Sequence, residues 1–262
     1  MKNEACVLGF GVVGGATAKA LKIKFHYDID PSKSNINFNN LKKYRLIFVC
    51  LPTPIQKNKK YKLNHISSII KKIEKLGGEP IYIIRSTVFP GFAKKLQEQL
   101  RTERIVSNPE FLSEKTAYKD TKYPPFLLVG GSSGKYTKIV VDFLRRYVKA
   151  PLILTDNTSA ELGKLAMNSY FAIKVIFANQ LYDIAANIDA DYDSVKKILE
   201  SHPFGPNNHF KVWFNDKRGV RGNCLPKDSA VFSNFAGSDL VRKAVSLNKK
   251  YINIKPQSEK DL

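Results

Sequence analysis

The sequence predicts an α/β protein: a doubly wound, mostly parallel sheet, then a long central helix and a small all-helical region. Three observations predict it. Short buried-strand patterns alternate with helical patterns up to about residue 156. The first of them runs into a glycine-rich turn and a helix. From Ser159 to Asn187 the chain has no proline and one glycine, enough for a helix of roughly 43 Å.

The elements follow in order. Ala5–Leu8 is a short apolar run that leads into Gly9-Phe10-Gly11-Val12-Val13-Gly14, then the helical stretch Gly15–Leu21. In a strand–turn–helix context the first glycine makes the turn, the second admits a pyrophosphate to the backbone, and the third lets helix and strand pack. The helix amino end then faces the phosphates. Asp28, with Asp30 in reserve, stands where such a unit needs an acid for the ribose 2′-hydroxyl, which favours NAD over NADP. Lys33 lies nearby. Residues 1–156 therefore read as a Rossmann-like dinucleotide-binding domain.

Further strands are Leu46–Leu51, Ile81–Ile84, Arg104–Ser107, Phe126–Val129 and Leu152–Leu154. Ile66–Leu76, stopped by Gly77 and Gly78, Phe92–Leu100 and Lys135–Tyr147 read as helices. Ligands sit outside the carboxyl ends of strands in such sheets. Those ends carry Thr53, Thr87 and Glu110. The plain alternative for each is turn chemistry.

Thr158 or Ser159 caps the long helix. Apolar residues occur nearly all round it, the mark of a buried helix. Glu161, Lys164 and Asn168 follow at steps of three and four and share a face. A buried lysine or amide needs a partner or a job; the residues alone also allow a lysine that snorkels outward and a satisfied asparagine. Lys164, Asn168, Lys174 and Asn179 interrupt every apolar run of membrane-spanning length.

Cys6, Cys50 and Cys224 form no paired framework and no C-x-x-C, which suits a reducing cytoplasm and argues against zinc; no metal is expected. Lys2, Asn3 and Glu4 lead straight into the first apolar run, which gives no signal peptide. The net charge of +20 suggests anionic partners. The lysines are scattered, apart from a run at Lys57–Lys62, so a solvated face fits better than a nucleic-acid stripe.

Tyr192–Ser201 reads as another helix. A loop from His202 to Asn223 follows, carrying Lys211, Trp213, Lys217, Arg218 and Arg221. His202 and His209 read as exposed loop residues. The loop ends in Gly222-Asn223-Cys224-Leu225-Pro226-Lys227-Asp228. On residue types alone Cys224 is either a small packed residue or a nucleophile activated by nearby cations.

Six stretches, in order, resemble the UDP-glucose/GDP-mannose dehydrogenase family: Gly9–Gly14, Leu51–Pro54, Arg85–Gly91, Asn108–Glu114, Ala160–Asn168 and Gly222–Asp228. The family oxidises a sugar C6 alcohol to a carboxylate with two NAD and no release of the aldehyde. The resemblance makes Cys224 the thiolate that attacks the aldehyde, giving a thiohemiacetal and then a thioester. It makes Lys164 and Asn168 stabilisers of the charged oxygen. Asp228, with Thr87, holds or activates a water. Glu114 serves as acid or base, and Glu110, Phe111, Leu112 and Glu114 line the sugar pocket. Gly9, Phe10, Gly11, Val12, Val13, Gly14, Asp28, Lys33, Thr53, Thr87 and Glu114 would hold NAD. Arg221 and Gly222 would approach the substrate, with UDP-glucose the first expectation. Residues 157–262 would carry the cysteine and dimerise through the central helix.

Ser113 and Arg221 depart from the family pattern. So does length: typical members continue into a domain that grips the nucleotide, whereas 34 residues follow Asp228 here. Short members resemble those carried by phages and other viruses, which would place the protein in a host cytoplasm. Two other functions compete. One is a noncatalytic nucleotide-binding protein that keeps the fold. The other is a single-step dehydrogenase of the 6-phosphogluconate or 3-hydroxyisobutyrate kind, which needs no cysteine.

Overall fold

The computed structural model describes residues 3–58, 60–205 and 208–255. Lys59 of the lysine run and Pro206 and Asn207 of the loop lie outside the described residues. The chain divides into two compact units. The first holds the residues up to Gln56 and Tyr61–Lys164; the second holds Lys57–Lys60 and the residues from Leu165 on.

The first unit is a seven-stranded sheet with helices between its strands. In chain order these are β1 (Asn3–Leu8), α1 (Val12–Ala20), β2 (Phe25–Tyr27), β3 (Tyr44–Val49), α2 (Asn64–Lys75), β4 (Ile81–Ile84), α3 (Phe92–Leu100), β5 (Ile105–Ser107), α4 (Ala117–Lys122), β6 (Leu127–Gly130), α5 (Gly134–Arg145) and β7 (Leu152–Thr155). The strand order is β2-β1-β3-β4-β5-β6-β7. Every neighbour pairs parallel except β5 with β6. The chain leaves β1 outward to β2 and returns on the other side as β3. The topological switch point, where such sheets bind ligands, therefore lies between β1 and β3.

The core follows from apolar runs that face helices on both sides. Leu46, Phe48, Val7, Ile83 and Val129 pack with Val140, Phe143 and Leu144 of α5. Each such side chain contributes about 1.5–3 kcal/mol on burial. In α2 the buried residues are Ile66, Ile70 and Ile73, at helical spacing. The helix α3 stops at Arg101, which takes a left-handed conformation with φ of 50°.

The long helix α6 (Asn157–Asn187) passes from the first unit into the second. In the second unit it is followed by α7 (Tyr192–Ser201), α8 (Leu225–Ala236) and α9 (Asp239–Tyr251). Asp191 caps α7 by accepting from the Ser194 N–H at 2.9 Å. Pro226 sits in the first turn of α8, and Gly237 ends that helix with φ of 63°. The expectation of a helix buried all round is corrected: Tyr170, Phe177 and Ile184, seven residues apart, are exposed. One face of α6 packs within the second unit through Ala172, Ile176 and Ala178.

Arg218 is the centre of that unit. It donates to the Asn179 side-chain and backbone oxygens at 3.0 and 2.8 Å and to Asp183 at 2.6 Å. Its guanidinium lies over the rings of Tyr182, Trp213 and Tyr251. A buried arginine so surrounded is a packing element.

Candidate active site

The glycine turn is built for contact on one side and open on the other. Gly9 has φ of 90°, and a Cβ there would stand 2.7 Å from the Cys50 carbonyl of the neighbouring strand end. At Gly14 a Cβ would stand 1.9 Å from the Gly9 carbonyl. The close approach of the β3 end requires glycine at position 9, and the packing of α1 on the turn requires it at position 14. Gly11, just before α1, differs: a Cβ there meets nothing within 4 Å. Its backbone faces open space at a helix amino end, where anions are favoured. Val12 is exposed there and Val13 packs on the core.

Asp28 follows the end of β2. Its carboxylate accepts from the Phe10 N–H at 2.6 Å and the Asp30 N–H at 3.0 Å. It borders an open cleft of about 610 Å³ that Tyr27, Pro31, Ser34, Asn35 and Phe38 also line. The acid is thus tied to the glycine turn itself. Asp30 has other work. It accepts from Ser32 and pairs with Lys33 at 3.3 Å, and its Ser32 hydrogen bonds hold its carboxyl below the usual range. Lys33 is therefore engaged by Asp30. Thr53 is buried beyond β3.

Beside the ends of β4 and β5, Arg85, Glu161 and Lys164 are buried and Glu110 is partly so. Lys164 is 4% exposed, so it does not snorkel. Its ammonium lies 3.6 Å from Glu110 and over the Phe111 ring at 5.0 Å. Glu110 also accepts from the Leu112 N–H at 2.8 Å, which sets the loop. Phe111 packs edge-on against Phe126. Arg85 donates to Asn108 at 2.5 Å, and burial pulls its guanidinium below its ordinary value. Glu161 accepts from the N–H groups of Gly91, Phe92 and Ala93 and from the Ser107 hydroxyl. Thr87, Glu161 and Lys164 line one narrow crevice. Glu114, in contrast, is exposed in a short turn at Glu114–Thr116.

The second unit holds the cysteine. Cys224 is exposed and immediately precedes α8. Gly222, with φ of 84°, makes the turn before it. One helical turn on, Asp228 is 1% exposed. It accepts from the Asn168 amide at 2.6 Å and pairs with Lys227 at 2.5 Å. Arg221 is spent on backbone: it donates to the carbonyls of Arg218 and Ile252 at 2.9 and 2.6 Å. Burial pushes the other two thiols up, that of Cys50 to about 11. A thiol buried that way is inert at neutral pH, and Cys224 is the one exposed cysteine. Among the described residues no cluster of three or more metal-binding side chains occurs, and no helix is long and apolar enough to cross a membrane.

Sequence patterns did not single out Arg85, Glu161 as a cap for α3, or Lys227 as the partner of Asp228. Only the last had a local signal, an adjacent lysine and aspartate.

Comparison with known proteins gives the family and the fold. The NAD-binding domain of the UDP-glucose/GDP-mannose dehydrogenase family matches residues 31–148, and the family's central domain matches residues 158–253. The UDP-glucose 6-dehydrogenase of Rickettsia felis is 29% identical over 214 residues, 77% of this chain and 46% of that protein. The GDP-mannose 6-dehydrogenase of Pseudomonas aeruginosa is 30% identical over 197 residues, 69% and 44% of the two. The chain spans about half the length of the curated relatives it matches. A UDP-glucose dehydrogenase from the archaeon Pyrobaculum islandicum has the same fold, with a TM-score of 0.83 at 22% identity over 95% of this chain and 68% of that one. The 3-hydroxyisobutyrate dehydrogenase of Mycobacterium tuberculosis shares the fold too, with a TM-score of 0.76 at 14% identity over 97% of each. With its two matched domains covering most of the sequence, the chain belongs to the UDP-glucose/GDP-mannose dehydrogenase family of nucleotide-sugar dehydrogenases.

Proposed function

We propose that the protein oxidises the C6 hydroxyl of a nucleoside-diphosphate sugar, UDP-glucose first among them, to a carboxylate through a covalent intermediate on Cys224. The observation that carries the proposal is Asp228: a buried carboxylate, held by Asn168 and Lys227, one helical turn after an exposed cysteine. A single-step dehydrogenase needs none of this.

The residues present fit NAD. The open backbone at Gly11 leaves room for a pyrophosphate, and Asp28 borders a cleft of nucleoside size. NAD, when bound, supplies the hydride acceptor for both oxidations. The chain's own groups do the rest. Glu114 is the base for the alcohol proton, with Thr87 and Thr53 on the cofactor side. The Cys224 sulfur adds to the aldehyde carbon, and Lys164 and Asn168 donate to the oxygen that gains charge. The second oxidation leaves the carbon as a thioester. Water held by Asp228 then adds, the C–S bond breaks, and the acid leaves with the thiolate restored. The amino end of α8 favours that thiolate. Glu110, Phe111, Leu112 and Gly222 contact the sugar, and a second copy packs on the exposed stripe of α6.

The test is NADH formation with UDP-glucose and excess NAD, beside Cys224→Ser. Two NADH per sugar, lost in the variant, is the expected result. One NADH per substrate with full activity in Cys224→Ser would favour the hydroxyacid-type reaction. NAD binding without turnover on UDP-glucose, GDP-mannose or UDP-N-acetylglucosamine would favour a binding protein.

A further inference from the structure

Glu161 is 2% exposed and takes four hydrogen bonds, three of them from consecutive backbone N–H groups at the start of α3. Those groups are helix-terminal donors with no partner inside their own helix, although the Phe92 N–H is shared with the Phe89 carbonyl at 3.1 Å. A side chain from 68 to 70 residues away supplies it. Gly91, the first of the three, ends the connection that runs from Thr87 to α3, and it adopts φ of 89°. The carboxylate thus fixes the far end of the Thr87–Gly91 connection. The near end is fixed by the Ser86 hydroxyl, just beyond β4, which donates to the Leu51 carbonyl at 2.7 Å. Thr87 sits between these two anchors and lines the same crevice as Glu161 and Lys164.

We infer that Glu161 is a positioning residue for the bound cofactor: it clamps the Thr87–Gly91 connection to α6 and so holds Thr87 at the cofactor. This rests on the assignment of Thr87 to the cofactor side. Glutamine is the informative replacement. Its amide keeps one acceptor oxygen but turns an NH₂ toward donors, so at least one of the three N–H groups loses its partner.

The test uses the full chain and reads NAD affinity and amide hydrogen exchange. Glu161→Gln should speed exchange at Gly91, Phe92 and Ala93 and weaken NAD binding by about ten-fold or more, since small misplacements in a site are costly. Thr87→Ala should weaken NAD to a similar degree. The double variant should be no weaker than either single one, because both remove the same contact. Additive losses would make Glu161 a structural residue and overturn the inference. So would unchanged exchange and affinity in a folded Glu161→Gln. If that variant does not fold, Glu161→Asp keeps the charge one methylene short and should give intermediate exchange; exchange equal to the native protein's would overturn the clamp. None of these readouts needs turnover. Loss of the proposed oxidation with the clamp intact would count against the function alone, and unchanged affinity in Thr87→Ala would sink the role given to Thr87.

Discussion

The Asn168 amide donates to the Asp228 carboxylate at 2.6 Å, joining positions sixty residues apart, and both groups are buried. The bond fixes which way Asn168 points. One of its two amide N–H groups is taken by Asp228, so the amide oxygen faces away from that carboxylate and the second N–H remains to donate elsewhere. Lys227 neutralises the same carboxylate from the other side. Asp228 is therefore held in one orientation by a neutral donor and a charged one.

Asn168→Ala removes that neutral donor and leaves a buried carboxylate short of a partner. We expect a loss of about 2 kcal/mol in unfolding free energy, measured by urea titration. Asp228→Ala in the same background should cost less than it does alone. Equal costs would mean that the two residues act independently.

Arg218→Met should destabilise the second unit by about 1–3 kcal/mol, because the buried Asn179 side-chain oxygen would lose its donor, whereas the partly exposed Asp183 keeps Lys250. Arg218→Lys should rescue little, since an ammonium cannot fork between them or lie flat on three rings. Trp213 is the only tryptophan in the chain and packs against Arg218. Its fluorescence therefore follows this unit, and its unfolding midpoint should drop in both variants.

Much of this fold was legible locally. Apolar runs such as Leu46–Val49 and the turn Gly9–Gly14 carry their structure in adjacent residues. So do α8 and α9: Pro226 in a first turn, Gly237 at a helix end and Ser238 as a cap are ordinary boundary signals. The cysteine segment had read as the end of a loop, whereas it opens a helix. Other features had no local signal. Arg218 looked like part of a cationic loop because its partners lie 35 and 39 residues away. The role of Glu161 depends on residues still more distant. The apolar residues round α6 did not reveal which face stays exposed, because periodicity cannot distinguish a face buried within a chain from one that is not.

Gly11 and Gly14 differ in what a Cβ would meet, so their substitutions test the proposed cofactor contact apart from the fold. Gly14→Ala drives a Cβ into the Gly9 carbonyl, so backbone must move and stability should fall by several kcal/mol, on the order of an overpacked core. Gly11→Ala meets nothing in the protein and should melt like the native chain. Its Cβ would instead enter the space left for the pyrophosphate. NAD affinity, read by calorimetry, should fall by about ten-fold or more. Native affinity in Gly11→Ala would mean that the cofactor does not approach this turn.

Glu161 also sets a pH dependence. Burial pushes its carboxyl up to about 7, against the pull of the N–H groups of Ala93, Gly91 and Phe92. Its ordinary value is near 4.5. Between the two, the folded chain keeps a proton that the unfolded chain has released. The stabilisation tied to that proton is complete below about pH 4.5 and is lost as pH rises through about 7. At 1.36 kcal/mol per unit, the whole span is worth about 3 kcal/mol. Glu161→Gln cannot titrate. The stability of the native protein relative to this variant should therefore decline between pH 5 and pH 8, as measured by urea unfolding at each pH. Taking the difference cancels groups such as Asp156, whose carboxyl is held low by its Ser159 hydrogen bonds and so pulls the other way. A difference that stays level over this range would mean that the three backbone donors outweigh burial and keep Glu161 ionised throughout.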